Sequence, residues 1–184
     1  LRHTFFRPNI LFLHLRQDSD LEELQQLVDK TAAYQMGIAL LARHPVIELG
    51  REQLINVWVS NQGPDWKIDL RESNMDLALL LAYQLSRNWQ GRITLCMAVP
   101  DEETKAKAEV FLAELIDLVR LPKNTAAIVL IAPFTDALSQ TPRPDLSILG
   151  LSKEPDLAFA QNLVVQVNGS CVFIRDSGDE SALA

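Results

Sequence analysis

The chain has 184 residues, 48% of them hydrophobic and 22% charged, with 24 acidic against 17 basic side chains and a formal net charge of −7. That length suits one domain, or one domain plus part of another, and the composition is far from a disordered one. The acidity and the lack of any Lys/Arg run argue against a nucleic-acid or anionic-lipid surface, since both need clustered cations; no stretch reaches the ~18–20 apolar residues of a membrane helix.

Short apolar runs alternate with longer amphipathic stretches. Residues 9–15 read as a strand. Residues 20–34 carry Leu21, Leu24, Leu27 and Val28 at helical spacing, with Asp18, Ser19 or Asp20 available as the N-cap. Residues 37–42 read as a strand, and His44-Pro45 and Gly50 punctuate a connector. A strand over 54–60 runs into the turn chemistry of Asn61-Gln62-Gly63-Pro64. Ser73 or Asn74 caps a helix over 75–89, whose apolar face holds Leu77, Leu80, Leu81 and Leu85, with Gly91 just past its end. A strand over 92–99 precedes a helix over 101–119 that starts with Asp101, Glu102 and Glu103 at its positive end. Then come a strand over 126–132, a short helix over 135–140 ended by Pro142 and Pro144, a strand over 145–151, and a helix over 156–167. Gly169-Ser170 reads as its C-cap, entering a last strand over 170–175. Residues 176–184 read as a polar tail, mobile or draped over the surface.

From residue 54 onward the order is β-α-β-α-β-α-β-α-β. Near-continuous Val/Ile/Leu runs suit strands covered on both faces, and alternation with helices implies parallel pairing. The expected fold is therefore α/β: a doubly wound, five-stranded parallel sheet in the order 3-2-1-4-5. The beginning of the chain reads as a repeat of its end. Pro8-Asn9-Ile10-Leu11-Phe12-Leu13 parallels Pro144-Asp145-Leu146-Ser147-Ile148-Leu149, Asp20-Leu21 parallels Asp156-Leu157, and Met36-Gly37-Ile38-Ala39 parallels Asn168-Gly169-Ser170-Cys171. The likeness is of pattern more than of identity, so chance is the alternative. A true repeat makes residues 1–43 the closing β-α-β of a first unit, residues 44–53 a connector, and residues 54–184 a complete second unit. The remaining strands of the first unit are then expected upstream, which agrees with a chain that begins at Leu1 and not at Met.

Little in the pattern suggests chemistry. Cys96 and Cys171 lie in apolar runs and read as buried thiols. His3, His14 and His44 fall in no metal-ligand spacing, and Ser147 and Ser170 in no nucleophile elbow. Glu22/Glu23, Glu102/Glu103 and Asp179/Glu180 read as solvated carboxylates, and Trp58, Trp66 and Trp89 as core or interface packing. No catalytic, metal or cofactor-binding residue is assigned, and no cofactor is expected.

Nucleotide binding is the chemistry this fold class most often performs, and it needs glycines whose N–H groups approach phosphate closely. The seven glycines are isolated, and neither dinucleotide nor P-loop spacing occurs. The five-stranded pattern resembles the universal stress protein family, in which a glycine-rich loop after the fourth strand holds ATP phosphates. Here that position reads Leu149-Gly150-Leu151-Ser152-Lys153-Glu154-Pro155-Asp156. Gly150 matches the strand-end glycine, the paired glycines that should follow are missing, and Glu154 and Asp156 put negative charge where phosphates should sit. ATP binding by that mode is therefore not expected, and protein–protein contact is the use left for the crevice.

A second resemblance covers nearly the whole chain. Residues 55–67, Ile-Asn-Val-Trp-Val-Ser-Asn-Gln-Gly-Pro-Asp-Trp-Lys, precede Asn74-Met75-Asp76-Leu77-Ala78-Leu79-Leu80-Leu81-Ala82-Tyr83 and then Arg87-Asn88-Trp89. This pattern resembles the C-terminal domain of prokaryotic cation–chloride cotransporters, of the amino acid permease-like superfamily. The resemblance implies a cytosolic region of two universal-stress-protein-like units that follows a membrane transport domain and lies at the cytoplasmic face of the cell membrane. Its implied work is regulation and self-association as a homodimer, with the transport domain of the same polypeptide as partner and no transport or catalysis of its own. The strand over 170–175, with Cys171, Phe173 and Arg175, and the helices flanking it are the expected self-pairing edge. The alternative is a free-standing universal-stress-protein-like adenine-nucleotide-binding protein.

Overall fold

The computed structural model describes residues 9–66, 68, 75–152 and 154–182. The expected caps Ser73 and Asn74, together with His3, Lys67 and Lys153, lie outside the described residues. The elements are β1 (Ile10–Leu15), α1 (Leu21–Ala33), β2 (Gly37–Ala42), β3 (Leu54–Trp58), α2 (Met75–Trp89), β4 (Arg92–Val99), α3 (Glu102–Leu118), β5 (Ala126–Ile131), α4 (Phe134–Gln140), β6 (Leu146–Gly150), α5 (Leu157–Val167) and β7 (Ser170–Arg175). Three helices start on an aspartate whose carboxylate takes backbone donors that the first turn leaves orphaned. Asp20 accepts from Glu22 N and Glu23 N, Asp101 from Thr104 N, and Asp156 from Phe159 N. The matching positions of Asp20 and Asp156 make the two halves of the repeat start their helices alike. At the end of α5 the left-handed residue is Asn168, at φ 52°. Gly169 serves a different need from the expected cap: a Cβ there would lie 2.5 Å from the Pro144 carbonyl oxygen.

All seven strands form one sheet in the order β1-β2-β7-β6-β3-β4-β5. Counted from β3, the last five strands lie in the order 3-2-1-4-5, with every neighbouring pair among them parallel. β1 and β2 pair in parallel, and β2 joins the rest by running antiparallel to β7, with Leu40 opposite Phe173. The two β-α-β repeats, β1-α1-β2 and β6-α5-β7, thus abut through their last strands. This corrects the expected self-pairing edge. β7 lies inside the sheet between β2 and β6, and Cys171, Phe173 and Arg175 are 0%, 5% and 8% exposed. A second chain cannot pair with backbone groups that β2 already takes.

The sheet separates two apolar layers. On one face Ile55, Val57, Leu95, Met97, Ile148 and Val172 pack under α2 and α3. On the other Leu40, Trp58, Cys96, Leu149 and Phe173 pack under α1, α4 and α5. Arg175 crosses the joint between the repeats: its Nη2 donates to Val28 O and Thr31 Oγ1 of α1, both at 2.7 Å. Gln161 of α5 donates to Arg16 O.

Two straps close the edges of this body. The connector is held by Asp145, whose carboxylate accepts from Arg51 N, Gln53 N and Leu54 N at 2.8–2.9 Å. Gly50, at φ +58°, is required there, because a Cβ would lie 2.1 Å from Asp145 Oδ1. The tail is the second strap. Ala182 N donates to Asp76 at the start of α2, Leu77 N donates to Asp176, and Glu180 accepts from Ser177 N, Ser177 Oγ and Gly178 N. Glu180 was expected on a solvated surface; it is 9% exposed, because the tail folds its carboxylate back onto its own donors.

Candidate functional site

Between β3 and β6 the chain's direction of travel across the sheet reverses: β3 leads to β4 on one side, and β6 to β7 on the other. In open α/β sheets the crevice beyond the carboxyl ends of such strands is where ligands gather. Here it is a cavity of about 450 Å³. Val57 and Val59 of the β3 end, Leu149 of β6, Leu79 of α2 and Leu163 of α5 form apolar walls. Trp58 lines it as well, 8% exposed and edge-on to Phe134 at 5.3 Å between ring centroids. Its indole Nε1 is buried with no hydrogen-bond partner among the described residues.

The expected phosphate position is occupied otherwise. Gly150 ends β6 at the cavity, but Ser152 Oγ donates to Glu154 O, and Asp156 occupies the N-terminal turn of α5 with its own carboxylate. A helix N-terminus already capped by a carboxylate offers fewer donors and a like charge to a phosphate. No Lys or Arg stands among the described residues that line the cavity.

The histidines fall elsewhere. His44 Nδ1 accepts from Val46 N and Ile47 N, which makes it a turn residue. His14 sits at the end of β1 beside Arg16 and Arg43; burial, then the two guanidinium charges, hold it below the usual imidazole range. Arg43 is paired with Glu48. Both cysteines are free, and burial pushes each thiol up to about 12, so neither is a nucleophile at neutral pH. Trp66 packs edge-on against Phe111 and Trp89 against the same core. Among the described residues no group of three or more His, Cys, Asp or Glu is arranged to hold a metal ion. Sequence reasoning missed the unpartnered Trp58 indole and the Asp76–Asp176–Glu180 cluster, both products of non-local packing. The isolated glycine at the end of β6 was the one visible signal for the cavity.

A doubly wound sheet with an open crevice at its switch point is a general α/β plan, and here it is universal-stress-protein-like in fold. A universal stress protein from Archaeoglobus fulgidus DSM 4304 superposes with a TM-score of 0.57 at 11% identity, over 92% of this chain and 62% of that one, a likeness of fold alone. The family is closer to hand. Residues 1–49 match the model of the prokaryotic cation-chloride cotransporter C-terminal domain, first part, and residues 50–183 match that of its second part. The crystal structure of the cytoplasmic domain of a prokaryotic cation chloride cotransporter is 39% identical, with a TM-score of 0.88, over 97% of this chain and 68% of that one. Comparison with curated protein sequences gives no match. The chain belongs to the prokaryotic cation–chloride cotransporter family and carries its C-terminal domain. Among the described residues no helix is long and apolar enough to cross a membrane.

Proposed function

We propose that this chain is the cytoplasmic regulatory and self-association region of a cation–chloride cotransporter, working by contact with the membrane transport domain of the same polypeptide and not by chemistry of its own. Residues 1–43 close a first universal-stress-protein-like unit, and residues 54–184 form the second. The observation that supports this reading is the unequal fate of the two repeats. Phe12 of β1 occupies the repeat position of Ile148 of β6, yet Phe12 is 61% exposed and Ile148 is fully buried. β6 has β3 at its outer edge and α2 over its face, whereas among the described residues the outer edge of β1 carries no strand. A strand and a helix from residues preceding this segment complete the first unit there.

A module of this kind biases transport only if it contacts the membrane domain differently in two transport states. Flux through the whole cotransporter is the measure: deleting this region should change the rate or its dependence on internal ions. Unchanged flux would remove the regulatory role. Self-association is read separately, by sedimentation of the soluble region. With β7 enclosed, the pairing surface moves to its flanking helix α5, where Val165 is 64% exposed. Val165→Glu should shift a dimer toward monomer, and a strict monomer at high concentration in the unaltered chain would sink this part.

A further inference from the structure

Two features at the switch-point crevice have no explanation in folding. The first is Gly150. Gly91 and Gly169 are glycines because a Cβ would strike a backbone carbonyl, at 2.8 Å from Gln53 O and 2.5 Å from Pro144 O. Gly50 and Gly178 have positive φ. Gly150 has neither reason: its φ is ordinary, and an added Cβ would meet no atom within 4 Å. It lines the cavity, so the missing side chain keeps that space open. A strand glycine without a steric role marks a place where something else comes close. The second feature is Trp58, whose ring lines the cavity and whose indole N–H, sealed from solvent, has no acceptor among the described residues although buried polar groups are nearly always paired.

The walls describe what would fit. They are apolar, and Phe134 and Phe159 line the cavity while still 39% and 43% exposed, as rings waiting for a covering partner are. Asp156 places a carboxylate at the cavity, and no cation balances a phosphate among the described lining residues. A cavity of about 450 Å³ lies in the range of small-molecule sites.

We propose that this cavity binds a small, flat, uncharged aromatic or heteroaromatic molecule, which lies against the Phe134 and Phe159 rings beside Trp58. The Asp156 carboxylate disfavours polyphosphates. The site stands apart from the transporter reading above, because it rests on the cavity alone.

The probe is coumarin, a neutral planar aromatic compound. The chain is labelled with nitrogen-15, and its three indole N–H resonances, from Trp58, Trp66 and Trp89, are followed during titration, with Trp58→Phe assigning the first. The expected result is a saturable shift of the Trp58 signal alone. Gly150→Leu fills the cavity and should raise the half-saturating concentration roughly tenfold or more at an unchanged Tm. If that variant loses its fold, Gly150→Ala decides, with a smaller rise. ATP at equal concentration should leave the Trp58 signal in place. The proposal is overturned by a folded chain that shows no saturable shift, by glycine variants that bind coumarin as the parent does, or by ATP moving the same signal at lower concentration than coumarin.

Discussion

The β1-α1-β2 and β6-α5-β7 segments share one plan and differ in what surrounds them. Both are parallel strand pairs bridged by a helix capped on an aspartate, Asp20 in one and Asp156 in the other. In the second segment each strand has a neighbour on both sides, and all six residues of β7 are buried. In the first, β1 has β2 on one side, and five of its six residues keep some exposure. A β-α-β unit covers one face of its two strands with its own helix and leaves the other face and the outer edge to be covered by something else. For β6 that cover is β3 and α2; the open face of β1 measures how much of a fold the same motif needs from its surroundings.

The sharpest way to break this comparison is to truncate the matched residues Phe12 and Ile148. Ile148→Ala removes a fully buried side chain and should cost about 2–5 kcal/mol in urea unfolding. Phe12→Ala in this chain should cost under about 1 kcal/mol, because most of that ring is already in water. In a longer polypeptide that includes the preceding residues, the Phe12→Ala cost should rise toward that of Ile148→Ala. Equal small costs in both contexts would mean that nothing covers β1.

The joint between the halves is next. Arg175 reaches from β7 to two oxygens of α1, and burial holds its guanidinium below the ordinary value while Asp29 opposes that shift. Arg175→Ala should cost about 1.5–3 kcal/mol, the range for hydrogen bonds from a charged donor. Hydrogen exchange should show α1 and β2 losing protection before β3 and β4. Uniform loss across the sheet would show that the halves unfold as one body whatever joins them. A smaller contrast is expected between the repeat glycines. Gly169→Ala meets the Pro144 carbonyl at 2.5 Å and should cost about 1–3 kcal/mol. Gly37→Ala meets Glu180 Oε1 at 3.1 Å and Arg175 O at 3.2 Å, both farther than the contact at Gly169, so thermal unfolding should rank it milder.

The elements themselves were legible because each rests on local signals. The Val/Ile/Leu runs marked the strands, and Asp20, Asp101 and Asp156 marked three helix starts through the orphan donors they satisfy. The antiparallel joint was not legible. β2 and β7 both read as continuous apolar strands, and nothing within either says that the other lies beside it. The last strand of the order 3-2-1-4-5 therefore reads as an edge, and the partners of Arg175, Val28 O and Thr31 Oγ1 of α1, come from far away in sequence. Of the site, the capping carboxylate of Asp156 at the start of α5 was readable from the sequence. The cavity was not, because it depends on where Trp58, Leu79 and Leu163 meet. Glu180 in the tail reads as solvated charge, and only the folded-back turn reveals that it is buried.

The finest contrast is between the carboxylates of the two straps, which should give stability opposite pH dependences. Asp145 is partly buried, which pushes its carboxyl up, but three backbone N–H donors and the Arg143 charge outweigh this and hold it below the usual range. Its contribution is present above the unfolded value of about 3.9 and is lost as pH falls through the lower folded value. Asp176 behaves in reverse. Burial pushes it up to about 6, with Glu180 and Asp76 adding to the rise and the Leu77 N–H opposing it. The folded chain therefore holds this proton more tightly than the unfolded chain does. Stability from this group is full below about pH 4 and is lost as pH rises through about 6. Asp176→Asn keeps an acceptor for Leu77 N and removes one of three crowded charges, so it should raise Tm at pH 7.5 and leave it nearly unchanged at pH 4. Asp145→Asn should lower Tm at pH 7.5, with the deficit shrinking in acid. Thermal melts of both variants across this range give two curves that converge at low pH from opposite sides. Parallel curves would mean that neither strap is held by the charge state of its carboxylate, and that the tail stays on α2 through Ala182 and the backbone alone.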